Sequence, residues 1–221
     1  MRHDEIMLRH KLAAANGRAS ALVFGATMTA GPYAALEPLI GYLRENSDRD
    51  VRFIIADTRR LLSLLDAGQI QFALVEGIFP RSEYDSLPYT SEPFCGVAAP
   101  DYRFHTGAVH RIEDLLQERL LIREEGSGTR EIFASWLTGR NLTLYDFARR
   151  VEVNSIQVIK QLAASGCGIT FVYRRAVAEE LKKGQLMTLP LRDFRVEHDF
   201  SIVWSRGSIY ADEWKTLFRD A

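Results

Sequence analysis

The sequence predicts an α/β protein of two subdomains of similar build, each on a largely parallel sheet. Three observations carry this prediction. Short apolar, β-branched runs alternate with stretches of helical periodicity along the chain. The pairing of helix, glycine and strand in LLDAG-QIQFALVEG returns as a weak echo in LAASG-CGITFVYRR. Two strand-like segments, near 93–99 and 199–205, fall where the chain would leave the first subdomain and come back to it.

Taken in order, residues 1–19 read as the end of a polar helix that stops at Asn16-Gly17, because its apolar residues are sparse and helices commonly end at glycine. ALVFGAT (21–27) is a strand, and Gly31-Pro32 opens a helix in which Leu36, Leu39, Ile40 and Leu43 recur at helical spacing. VRFIIAD (51–57) is a strand. TRRLLSLLDAG (58–68) is a leucine-rich helix ending at Gly68, and IQFALVEG (70–77) is a third strand.

The grammar then repeats. PFCGVAAP (93–100) is a strand, RIEDLLQE a short helix, RLLIREE (119–125) a strand and TREIFASWLTG (129–139) a helix. VEVNS (151–155), IQVIKQLAASG (156–166), GITFVYRR (168–175) and AVAEELKKG (176–184) continue the alternation. HDFSIVWSR (198–206) is a long apolar strand. A terminal amphipathic helix carries Trp214, Leu217 and Phe218 and is expected to return to the first subdomain. The expected division is 20–92 plus 200–221 against 93–199.

Composition narrows the function classes. The 28 Lys+Arg against 29 Asp+Glu leave no global basic field for nucleic acid or an anionic membrane. Two cysteines, no apolar signal-like core at the N-terminus and no long apolar run point to a reducing, cytoplasmic setting. No HExxH motif or paired cysteine spacing suggests a metal, and the five histidines lie outside the strand ends. We therefore expect no metal, no cofactor and no catalysis.

What stands out is three strand ends that finish in small polar residues before a helix. GSGT (126–129) exposes backbone amides and two hydroxyls at a helix start, where the helix dipole favours an anion. A P-loop is excluded because Arg130 stands where lysine is required, and a nucleophile elbow because Glu125 stands where glycine is. ATMTAGP (26–32) offers Thr27 and Thr29, and VNSIQ offers Asn154 and Ser155. Each is equally readable as a plain helix cap. Glu124 and Glu125, as strand neighbours, should point to opposite faces, and Glu76 is expected to be a solvated charge at a loop start.

The series LVFGATMTAGPY, TRRLLSLLDAGQIQFALVEG, LLIREEGSGTREIF, EVNSIQVIKQLAASGCGITFVYRRAVAEELKKGQL and FSIVWS resembles the effector-binding domain of LysR-type transcriptional regulators over nearly all of 20–221. The resemblance implies a type 2 periplasmic-binding-protein-like fold: two Rossmann-like subdomains joined by two crossing strands, with a small effector between them. It implies that residues 1–19 end a linker helix, and that DNA is read only by an N-terminal winged helix-turn-helix missing from this chain. It carries effector contacts to Thr27, Met28 and Thr29, to Gly126, Ser127, Gly128 and Thr129, to Asn154 and Ser155, and to Thr170 and Phe171. It also implies a homodimer, or a tetramer at full length, for which the helix 33–45 with Tyr33, Leu36 and Tyr42 is the candidate face. The expected effector is a small anion, held by hydroxyls and helix-end amides with no need of lysine or arginine. A transporter's solute-binding protein of the same fold is the alternative.

Overall fold

The computed structural model describes residues 21–208. The expected helix tail over 1–19 and the terminal helix with Trp214, Leu217 and Phe218 lie outside the described residues. In chain order the elements are β1 (Leu22–Thr27), α1 (Leu36–Glu45), β2 (Val51–Ala56), α2 (Thr58–Asp66), β3 (Ala73–Val75), β4 (Tyr84–Ala98) and β5 (Arg119–Ile122). They continue with α3 (Gly128–Thr138), β6 (Arg149–Glu152), α4 (Ile156–Ala164), β7 (Ile169–Tyr173), α5 (Ala178–Lys182), β8 (Met187–Thr188) and β9 (Val196–Ser205). The chain divides into two compact units, one running to Thr90 and resuming at Asp199, the other Ser91–His198. Strands β4 and β9 each run through a boundary between them.

In the first unit β2, β1, β3 and β9 lie side by side, the first three parallel and β9 antiparallel to β3. Helix α2 begins where Asp57 accepts a hydrogen bond from the Arg60 amide at 2.8 Å, which satisfies one of the first-turn donors. Its Leu61, Leu64 and Leu65 form one buried face that packs on Ile70, Ala73, Val75 and Val203. A Cβ at position 25 would stand 2.4 Å from Leu61 Cδ2, so a larger residue there must displace that leucine methyl. On the sheet's other face Phe24 stacks between Phe53 and Phe72, with ring centroids 4.6 and 5.0 Å away. The helix expected from Gly31-Pro32 opens with a wide π turn, Gly31–Ala35, before α1 proper.

In the second unit the order is β4, β7, β5, β6, with β8 on β4; β5, β6 and β7 are mutually parallel and β4 runs antiparallel to β7. An aromatic cluster forms its core. Phe133 of α3 stacks on Phe171 of β7 at 4.0 Å, and Phe147, Phe194 and Trp136 close around the pair. The Arg140 guanidinium lies 3.7 Å from the Trp136 ring centre. Glu118 is fully buried and accepts from the His105 amide at 2.7 Å and the Tyr102 hydroxyl at 3.0 Å, with His105 Nδ1 at 2.9 Å.

Several elements depart from the expected ones. The strand expected at 93–100 begins nine residues earlier, at Tyr84. RIEDLLQE forms only a single 3-10 turn, Ile112–Leu115, and the strand expected over 119–125 stops at Ile122. Glu124 and Glu125 are therefore turn residues, and strand alternation does not govern them. Glu76 is 1% exposed, not solvated.

Candidate functional site

The turn after β5 is built by a glycine. The Ser127 amide donates to the Glu124 carbonyl at 3.3 Å, and Gly126 takes φ +88°, a region in which only glycine is unstrained. Helix α3 then starts at Gly128, with Ser127 in extended conformation as its N-cap. The Ser127 carbonyl accepts the Glu131 amide at 3.0 Å, so the amides of Gly128, Thr129 and Arg130 precede the first intrahelical bond.

Two features separate this turn from an ordinary cap. The Ser127 hydroxyl makes no capping bond, contrary to the plain-cap expectation. Residues 126–129 are all buried, Ser127 at 3% and Thr129 at 1% exposure, so bulk water does not solvate the helix start as it does at a surface helix. The helix is fixed there by Phe133, whose ring is held on Phe171.

The flanking charges were not foreseen. Arg123, 2% exposed, donates from Nε and Nη2 to the two oxygens of Glu124, both at 2.7 Å. Arg130 Nη1 reaches back to the Arg123 carbonyl at 3.1 Å and to Glu152 Oε2 at 2.5 Å, tying α3 to the ends of β5 and β6. The signal available in the sequence was only the pair of opposite charges, Arg123-Glu124, directly before a glycine turn.

The remaining residues of the second unit divide. Ser155 is a conventional N-cap of α4, its hydroxyl accepting from the Val158 amide at 3.4 Å, and Asn154 beside it is exposed. Thr170 lies between Val97 and Leu121 in the sheet, 1% exposed, with its hydroxyl unpartnered. Phe171 is the next residue and so faces the other way; its ring is committed to the aromatic core. The α3 side of the sheet is the Phe171 side, and Thr170 is not on it.

In the first unit Thr27, 2% exposed, accepts from the Ala30 amide at 3.4 Å, and Thr29 is 1% exposed with its carbonyl on the Tyr33 amide. Met28 between them is partly exposed. Strands β1 and β3 are in register at Ala26 and Leu74, which places buried Glu76 at the same sheet edge as these residues. Among the described residues no three potential metal ligands cluster, and no helix is long and apolar enough to cross a membrane. The Cys95 thiol is pushed up to about 11 by burial, partly opposed by Arg174, so it is not a ready nucleophile.

The turn after β5 and the residues after β1 thus present amides and hydroxyls at the carboxyl ends of parallel strands. The chain matches the LysR substrate binding domain over residues 15–215, and it belongs to that family. It is 27% identical over 208 residues to a probable RuBisCO transcriptional regulator of Guillardia theta, covering 89% of this chain and 67% of that one. It is 25% identical over 167 residues to the RuBisCO operon transcriptional regulator of Allochromatium vinosum, covering 75% and 54%. The chain thus spans between about half and two thirds of these relatives. Among solved structures, the CcmR regulatory domain of Synechocystis PCC6803 in complex with 2-PG superimposes with TM-score 0.77 at 19% identity, over 90% of this chain and 96% of that one. Reduced OxyR gives 0.73 at 21% identity over 91% and 94%, and the effector-binding domain of QuiR with shikimate gives 0.74 at 14% over 90% and 95%. These likenesses establish the fold, that of the type 2 periplasmic binding proteins.

Proposed function

We propose that this domain senses a small anionic metabolite whose anionic end is held at the first turn of α3, and that the full-length protein uses this to modulate its DNA binding. The observation that carries the reading is the burial of Gly126–Thr129 at a helix start whose capping hydroxyl is not used for capping. Amides and hydroxyls removed from water there lack solvent as a competitor, and charge-assisted hydrogen bonds to an anion are roughly twice as strong as neutral ones. The ligands named with two structural neighbours, 2-PG and shikimate, both carry a carboxylate.

Thr27, Met28 and Thr29 of the first unit are further effector contacts in this reading, as the family resemblance implies. Buried Glu76 at the same strand end adds a carboxyl that can meet a hydroxyl or ammonium on the effector. Asn154 and Ser155 contribute polar contacts, the Ser155 hydroxyl as a donor because it already accepts the Val158 amide, and Phe171 contributes through its backbone, since its ring is engaged elsewhere; Thr170, on the sheet face away from α3, is not a contact of this turn. The regulator acts in the cytoplasm as a homodimer, and its DNA contacts come from a separate N-terminal domain. By binding one conformational state more tightly than another, the effector shifts the population that engages DNA.

The test is calorimetric titration of small anions, 2-phosphoglycolate first, into wild type and Thr129→Ala. The variant should lose about 1–3 kcal/mol of affinity with its fold intact, the range for depriving a charged partner of one bond. Equal affinity in the two proteins would reduce the turn to a helix cap.

A further inference from the structure

A guanidinium carried almost wholly out of water requires an anion against it. At the end of β5 that anion is the next residue in the chain: Glu124 meets Nε and Nη2 of Arg123 with its two oxygens, both at 2.7 Å, as a planar fork. The two partners differ in depth, Arg123 being 2% exposed and Glu124 21%. The carboxylate therefore lies on the solvent side of the cation and covers it. Both residues are joined to the candidate site through their main chain: the Glu124 carbonyl accepts the Ser127 amide to form the turn, and the Arg123 carbonyl is held by Arg130 from the first turn of α3.

We infer that Glu124 is an internal stand-in for the effector's anionic group, and that effector binding moves the Arg123 fork from Glu124 to the ligand. The inference rests on the reading of the α3 turn as an anion site. An anion arriving at that turn meets a carboxylate already in place, and the like charges repel. A ligand presenting two oxygens in one plane replaces Glu124 on the guanidinium and removes the repulsion in the same step. A carboxylate or phosphoryl group does this through two parallel N–H···O bonds; a spherical anion such as chloride offers the fork a single acceptor atom and replaces Glu124 less well. Selection for oxyanions over chloride thus arises from Arg123, while the amides of α3 attract either.

The experiment titrates inorganic phosphate and 2-phosphoglycolate, each against a chloride background, into wild type, Glu124→Gln and Thr129→Ala. Glu124→Gln should bind at least one oxyanion about tenfold or more tighter than wild type, since the internal competitor has lost its charge. Unchanged or weaker binding by Glu124→Gln overturns the exchange. If Thr129→Ala loses affinity while Glu124→Gln matches wild type, the exchange fails and the anion-site reading stands; if neither oxyanion binds wild type or Glu124→Gln, both fail. Because Glu124→Gln leaves a buried cation without its counter-charge and can disturb the turn, the wild type supplies a second readout. Its Arg123 Nε–H resonance, assigned by its loss in Arg123→Lys, should move on saturation with 2-phosphoglycolate, and a stationary resonance at saturation overturns the proposal.

Discussion

Replacing Phe133 with alanine tests how α3 is held in place. The ring is fully buried and stacks on Phe171 at 4.0 Å with an interplanar angle of 14°, with Phe147 at 6.1 Å and Phe194 at 6.2 Å. Truncating a core phenylalanine to alanine costs about 3–5 kcal/mol through lost transfer energy and the cavity left behind. Phe171 is fixed in β7, whereas Phe147 and Phe194 lie outside the strands and can relax toward the space, which places this site near the middle of that range. Part of the cost belongs to the ring pair, about 0.5–1.5 kcal/mol beyond burial. Urea unfolding of wild type, Phe133→Ala, Phe171→Ala and the double variant, followed by circular dichroism, separates the two contributions as a double-mutant cycle. Val158→Ala, at a side chain 42% exposed, serves as a control and should stay within about 0.5 kcal/mol. A Phe133→Ala cost below about 2 kcal/mol, or no coupling to Phe171, would refute the claim that this stack anchors the start of α3.

Two further outcomes follow from local geometry. Gly168→Ala should destabilise by about 1–3 kcal/mol, because its Cβ would stand 2.4 Å from the Arg119 carbonyl oxygen, a backbone atom that moves only if β5 and β7 part; Gly25→Ala, meeting a leucine methyl at the same distance, should cost less, and equal or reversed costs in thermal melts would count against this. With the Cys95 thiol raised to about 11, its thiolate is roughly a thousandth of the population at pH 8, so iodoacetamide should modify a single thiol, Cys167, in the native protein and two in urea; raising the pH toward 11 should bring Cys95 into reaction, and rapid double labelling at pH 8 would contradict its burial.

Much of the fold is legible in the sequence where local and tertiary signals coincide. Helices α2 and α4 announce themselves through apolar residues at helical spacing, a polar cap at Asp57 or Ser155 and a glycine stop, and all of these act in the structure. The first nine residues of β4, YDSLPYTSE, carry no such signal: their side chains are mostly exposed or half-buried, so no alternation is imposed, and they become a strand by pairing. In the site, the GSGT turn is legible because positive φ at Gly126 needs glycine. Arg123 is not legible, since an arginine at a strand end ordinarily reaches water, and its burial depends on a fork to Glu124 that exists only once β5 has ended at Ile122. Glu76 fails for the same reason: its depth is set by the sheet around it and not by its neighbours in the chain.

The route of the chain imposes an order on biosynthesis. The second unit, Ser91–His198, is one continuous stretch, whereas the first is made of two stretches and takes its fourth strand from β9, where Val203, Ile202 and Ser201 pair with Ala73, Leu74 and Val75. A chain emerging from the ribosome can complete the second unit while the first still has an open edge at β3. An unpaired strand edge is a template for other chains, so the nascent first unit stays exposed to mispairing until the last residues of β9 have been made, and a stop codon placed before Phe200 would strand it in that state.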